Sequence, residues 1–405
     1  MIMKKNYIFS IPLVFIFALF ACTSANANQE KEQIENKAEL PADAIEMKYN
    51  NHLYFKVMLR DSIPARMIFD TGSSNLLLDS TFYATNFGKN QNLRKAMLAG
   101  AGDGYELTSL DASSWNYRVG EVSHTEPMAI VVNLRKILGD GVDGLFGMHF
   151  MMGKRVEFNY EDGYMRFLKP DEPIAEDFTA VQCKWLNNKD RIIIPLSVTF
   201  EDGYTLKGNF LMDTGMPDEL SLNSSKANAL KTEGHLANAH RMKFDVGGIG
   251  GSRIDNYVHI QEISLGNKSI NDIRITYSEN EQGALADSRY DGLVGNALFA
   301  RFDVILDFEN CVMYIRPNKN FNKPQENNFG IAFQPNKDHW IINGLFEGGN
   351  AEKAGLHQGD RIEAINGIKA CDDKSLLYPL PDEITLSVKR GNDIIEIVVN
   401  KEIFH

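Results

Sequence analysis

The sequence is poor in cysteine, in positive charge and in long apolar runs. Its four cysteines, Cys22, Cys183, Cys311 and Cys371, have spacings that match no disulfide framework and no zinc motif. Cys183, Cys311 and Cys371 read as buried free thiols, with one bridge left open for an oxidising compartment. Lys and Arg number 42 against 54 Asp and Glu, a formal net charge of −12. That balance excludes a phosphate-neutralising surface, and with it nucleic-acid binding. The apolar stretch from Ile8 to Ala21 is 14 residues, too short to span a bilayer. No Gly-x-Ser-x-Gly element is present, so a serine-nucleophile setting is missing. His235 and His240 are five apart, on different faces of any helix, with no third ligand. They read as exposed loop histidines, and neither a metal nor another cofactor is implied. The rest of the composition, 43% apolar and 24% charged, is that of a globular chain long enough for two or three domains.

What the sequence does have is Asp-Thr-Gly twice. Asp70-Thr71-Gly72 follows Met67-Ile68-Phe69, and Asp213-Thr214-Gly215 follows Asn209-Phe210-Leu211-Met212. An Asp between an apolar strand and a Gly turn is a carboxylate set at a strand end, facing a cleft. Two such groups can converge and share a proton. Each is followed by a second matched segment, Asp143-Gly144-Leu145-Phe146-Gly147 and Asp291-Gly292-Leu293-Val294-Gly295. The near-constant offset between the copies, 143 residues for one motif and 148 for the other, marks an internal duplication. Strand patterns precede both aspartates. Leu53–Leu59 and Arg66–Phe69 flank a turn at Asp61–Pro64, and a second series starts at Arg191 and turns at Glu201-Asp202-Gly203.

A strand ending in Asp-Thr-Gly, followed by an apolar-apolar-Gly segment, resembles one lobe of an aspartic protease. Two in one chain resemble the two-lobed pepsin arrangement, over about residues 45–318. The resemblance implies a mainly β, duplicated β-barrel fold with Asp70 and Asp213 as the catalytic pair. It also implies that Thr71 and Thr214 clamp the loops across the lobes, with Gly72 and Gly215 making the turns. Ser73 is placed to donate to Asp70, whereas Met216 cannot donate to Asp213. An asymmetric dyad is therefore expected, with Asp213 more often protonated. Gly247-Gly248-Ile249-Gly250-Gly251 resembles the flap tip of retroviral proteases, and Gly100-Ala101-Gly102-Asp103-Gly104 is its first-lobe counterpart, with Tyr105 after the glycines.

Ala354-Gly355-Leu356, Gly359-Asp360-Arg361-Ile362 and Ile365-Asn366-Gly367 resemble a PDZ signature in order. Phe329, Gly330, Ile331 and Ala332 would form its carboxylate-binding loop and first strand. Its second helix is confined to about Cys371–Tyr378 by Pro379 and Pro381, which implies a shallow groove. Leu19-Phe20-Ala21-Cys22 resembles a bacterial lipobox, which implies lipidation at Cys22, with plain cleavage after Ala27 as the alternative. The expected organisation is a signal peptide at 1–22, a tether at 23–44, lobes at 45–187 and 188–318, a linker at 319–328 and a PDZ-like unit at 329–405. The expected protein is a monomeric endopeptidase of the bacterial envelope, acting on peptides or proteins and tethered to the membrane by its lipid. A secreted form and a peptide-binding protein without turnover are the alternatives. All catalytic parts precede residue 318, so a chain ending near Pro317 is expected to keep short-peptide cleavage.

Overall fold

The computed structural model of the protein describes residues 40–88, 93–186, 189–236, 239–325, 329–336, 338–370 and 381–402. Cys22, the leader and the helix expected at Cys371–Tyr378 lie outside them. The described chain is mainly β. Among the described residues, no helix is long and apolar enough to cross a membrane.

The duplication is repeated in the strand topology. In the first half, His52–Leu59 pairs antiparallel with Ile63–Phe69, which ends at Asp70. Gly144–Phe146 runs parallel to Met67–Phe69 and antiparallel to Leu76–Asp79. In the second half, Arg191–Thr199 pairs with Thr205–Met212, which ends at Asp213. There Gly292–Val294 runs parallel to Phe210–Met212 and antiparallel to Leu220–Leu222. The hairpins turn where the sequence offers residues suited to it. Arg60 and Asp61 take φ of 44° and 60° in the first, and Gly203 takes 85° in the second.

A six-stranded sheet joins the halves. Its centre pairs Arg155–Asn159 with Phe302–Asp307, in register Phe158 to Val304. These strands begin 12 and 11 residues beyond Asp143 and Asp291, so the duplicated units meet edge to edge through equivalent strands. Phe69, Phe146, Phe158, Phe210, Phe302 and Val304 belong to one apolar core that runs through both halves. At about 25 cal/mol per Å², such burial is the main stabilising term.

Cys183 and Cys311 face each other at one edge of this sheet, with the Cys183 N–H donating to the Cys311 carbonyl at 3.0 Å. Cys311 is in the turn before Val312–Pro317, with φ of 55°. Both are free and buried, and burial pushes Cys183 up to about 12 and Cys311 up to about 11. A thiol held protonated is a poor nucleophile. In a Cys22→Ser/Cys371→Ser variant, an aromatic disulfide reagent at pH 8 should modify them roughly a hundredfold slower in the native protein than in denaturant. Equal rates would show that this sheet edge opens freely.

The C-terminal unit has its own core around Trp340, Ile342, Leu356, Ile362, Ile384 and Val388. It does not stand apart, however. Strand Trp340–Phe346 pairs with His240–Gly248 of the second half, Met242 with Phe346 and Phe244 with Gly344, so one 14-stranded sheet includes both. Apolar contact among Met242, Phe244 and Phe346 seals the seam. The unit expected beyond a linker at 319–328 therefore continues a sheet of the second half.

Candidate active site

The two Asp-Thr-Gly loops meet between the halves. The Thr71 hydroxyl donates to the Met212 carbonyl at 2.9 Å and accepts the Thr214 N–H at 3.0 Å. Thr214 repeats both bonds in mirror order, to the Phe69 carbonyl at 2.9 Å and from the Thr71 N–H at 3.0 Å. Both threonines are buried, so four cross-half bonds operate away from water. Asn296, also buried, adds an N–H to the Thr214 carbonyl at 2.6 Å and accepts the Tyr160 hydroxyl at 2.9 Å.

Asp143 and Asp291 fix the strands that carry the catalytic candidates. Asp143 Oδ2 accepts the N–H of Arg66, four residues before Asp70, at 3.0 Å. Asp291 Oδ2 accepts the N–H of Asn209, four residues before Asp213, at 2.7 Å. The Asp70 and Asp213 N–H groups donate to the Phe146 and Val294 carbonyls at 3.0 and 2.9 Å. The matched segments thus give both aspartates the same backbone frame.

The carboxyl groups of Asp70 and Asp213 converge across the halves, each lying against the glycine of the opposite loop, Asp213 against Gly72 and Asp70 against Gly215. Gly72 N–H donates to Asp70 Oδ1 at 2.8 Å and Gly215 N–H to Asp213 Oδ1 at 2.9 Å. Gly72 must be glycine: a Cβ there would lie 2.6 Å from Asp213 Oδ1. Burial raises both carboxyls above the ordinary range, and the Asp70 charge lifts Asp213 further, to about 8. Both still keep some solvent contact. Two charges about 3 Å apart at an effective dielectric near 20 repel by roughly 5–6 kcal/mol, so the pair holds one proton across a wide pH range.

The Ser73 hydroxyl donates to the Asn75 carbonyl at 3.3 Å and not to Asp70. That removes the donor asymmetry expected between Ser73 and Met216. Met216 is buried with Ile193, Leu211, Leu285, Tyr290 and Leu293 in an apolar wall. Ile68, Leu77, Ile130 and Leu145 form the matching wall of the first half. Ile68 and Leu211 each stand two residues before an aspartate, so the walls flank the pair.

Both glycine clusters are tips of hairpins, the first between Arg94–Ala99 and Tyr105–Asp111, the second between His240–Gly248 and Gly251–Leu265. The tips interlock. Gly102 N–H donates to the Ile249 carbonyl and Asp103 N–H to the Ser252 carbonyl, both at 2.9 Å. A Cβ on Gly102 would lie 2.5 Å from Gly251 N, and Gly250 takes φ of 102°. Beside them Gly248 takes φ of 145°, and Ile249 packs against the first-half wall. Tyr105 is 58% exposed.

Phe329, Ile331, Ala332 and Phe333 of the C-terminal unit line a cavity of about 650 Å³ shared with Asp218 and Arg253 of the second half. The Gly330 carbonyl accepts the Phe346 N–H at 2.9 Å. His235 stacks on Tyr204 at 3.8 Å and pairs with Asp202, while His240 lies 5.2 Å from Phe346. Neither is the exposed loop histidine expected. Among the described residues, no three potential ligands cluster around a metal site.

Sequence reasoning missed His52, Arg191 and Asn296. Their signal is register: His52 and Arg191 open the strands opposite the aspartate strands, and Asn296 follows the second Asp-Gly-Leu segment directly. Comparison with protein-family models finds no match, and comparison with curated proteins finds none.

Proposed function

We propose that this chain is an aspartic endopeptidase of two-lobed architecture, with a PDZ-like C-terminal unit. The observation that carries the reading is the convergence of Asp70 and Asp213, each against the other loop's glycine, inside a matched, cross-bonded threonine frame. The ionised member takes a proton from a bound water, and the protonated member donates to the peptide carbonyl oxygen. Water oxygen bonds to the carbonyl carbon and gives a tetrahedral diol, which collapses as the leaving nitrogen gains a proton. No covalent enzyme intermediate forms. The flanking apolar walls suit apolar side chains on either side of the cleaved bond, and the hairpin tips exclude bulk water.

Met216, which offers Asp213 no donor, is the residue that would favour a peptide-binding protein without turnover. Met216 packs in a wall, and Ser73 gives Asp70 no donor either, so the two halves are alike at that point. The envelope location and the lipid anchor at Cys22 belong to the same proposal and rest on the leader. The test is release of peptides from a denatured protein substrate by the purified chain, abolished by Asp70→Asn. No release by the folded wild-type chain from pH 3 to 8 would leave binding without turnover.

A further inference from the structure

The two aspartate hairpins share more than their aspartates. Leu53 pairs with Phe69 in one and Ile193 with Leu211 in the other. Carried to the strand ends, these registers set His52 opposite Asp70 and Arg191 opposite Asp213. Each half therefore offers a basic side chain in step with its aspartate, and each side chain reaches into the other half. His52 Nε2 lies 3.0 Å from the Gly215 carbonyl oxygen. Arg191 Nη1 donates to Ser74 Oγ, four residues beyond Asp70, and to its neighbour's carbonyl, Asp190 O, at 2.8 Å.

The places match but the charges do not, because a guanidinium is cationic at every working pH and an imidazole is not. Arg191 is held from several sides. Asp190 Oδ1 accepts the Ser74 hydroxyl, and Asp190 Oδ2 lies 3.4 Å from Arg191 Nη1. Behind Asp190 stands His149, 4.0 Å away, which meets buried Glu126 at 3.2 Å, as His124 does. The guanidinium is thus in contact with Asp190 and Ser74, and its charge acts on the two catalytic candidates and, in the second-half wall, on Tyr290. We propose, resting on the endopeptidase reading, that Arg191 is the positioning residue of the aspartate pair: a fixed cation, clasped by Ser74 and Asp190, that sets the pH range over which the pair keeps a single charge. Its charge lowers both Asp70 and Asp213 against the rise that burial causes, in keeping with that role.

The experiment uses the full chain and its Arg191→Met and Arg191→Lys variants, each checked for folding by thermal melting. Cleavage of an internally quenched peptide mixture is followed from pH 3 to 9. In Arg191→Met both limbs of the profile should move up by roughly one pH unit, the lower end of what a nearby opposite charge supplies. Arg191→Lys should restore the wild-type limbs to within a few tenths. Limbs that stay in place while the rate falls would overturn the proposal and leave Arg191 a structural clasp. A second readout needs no activity. Without the cation the folded aspartates bind protons more tightly, so the melting temperature of Arg191→Met should fall more steeply than wild type from pH 4 to 8. That difference should vanish in an Asp70→Asn/Asp213→Asn background. Parallel melting curves would overturn the role of Arg191 even if cleavage were absent, whereas a steeper curve without cleavage would remove only the endopeptidase reading.

Discussion

Asp213→Asn should abolish peptide hydrolysis and, at neutral pH, make the protein more stable. The first effect follows from the shared proton. An amide neither accepts water's proton nor donates one to the carbonyl, so the rate should fall by roughly 10⁴-fold, the upper end of what positioned acid–base groups supply. The second follows from the cost of keeping charge in this place. Asp213 is raised to about 8 by burial first and the Asp70 charge second, against 3.8 for an unperturbed Asp. The folded chain then binds a proton that the unfolded chain has released throughout that interval. The stability this group contributes is fully present below about pH 4 and is lost as pH rises through about 8. The amide of the variant does not titrate and carries no such dependence. Wild type and variant should melt alike near pH 4 and diverge above it, the variant gaining on the order of a few kcal/mol by pH 8. Melting curves measured from pH 4 to 8 decide it. Curves that stay parallel would mean the two carboxyls do not titrate as a pair, and retained hydrolysis would place the chemistry elsewhere.

Much of this site was legible in the sequence because its parts are local and come twice. An apolar strand, an Asp and a Gly turn are set by neighbouring residues, and the Asp-Gly-Leu segments pair with the same strands in both halves. The hairpin turns at Asp61 and Gly203 were legible for the same reason. What could not be read was direction and distance. Whether the Ser73 hydroxyl turns to Asp70 or to the Asn75 carbonyl is a rotamer choice, and the well expected from the sequence is not the one occupied. The glycine clusters announced hairpin tips, but their contact joins residues about 150 positions apart through backbone alone, and backbone has no sequence signature. His52 and Arg191 carry no motif; only the hairpin register sets them beside the aspartates. The seam between Phe346 and Met242 was hidden in the same way, since an apolar strand residue does not name its partner.

That seam makes a chain ending at Pro317 unlike the one the motif inventory implied, and such a truncation should lose at least roughly tenfold in cleavage of even short peptides. Every catalytic candidate remains in it, and so do the core through both halves and the six-stranded sheet, so the halves should still fold. The hairpin tipped by Gly247–Gly251 is what changes. Strand His240–Gly248 lies between Gly251–Leu265 and Trp340–Phe346, and removing the C-terminal unit turns it into a free edge. It loses the Asn343 side-chain bond to the Val246 carbonyl at 3.0 Å and the Arg241–Glu347 ion pair. Met242 and Phe244, 1% and 7% exposed, lose the cover of Phe346. Uncovering two such side chains costs up to about 3 kcal/mol each. The hairpin that carries Ile249 over the first-half wall would therefore close less often, and the substrate would be held over the aspartates for a smaller fraction of time. A free edge of this kind also invites self-association, so the oligomeric state must be followed by size-exclusion chromatography. Phe346→Ser in the full chain supplies the control, because it weakens the seam and keeps every strand; it should show the same sign with a smaller loss. Wild-type cleavage by a folded, monomeric truncation would show that the flap closes without the C-terminal unit, and that the shared sheet only tethers it.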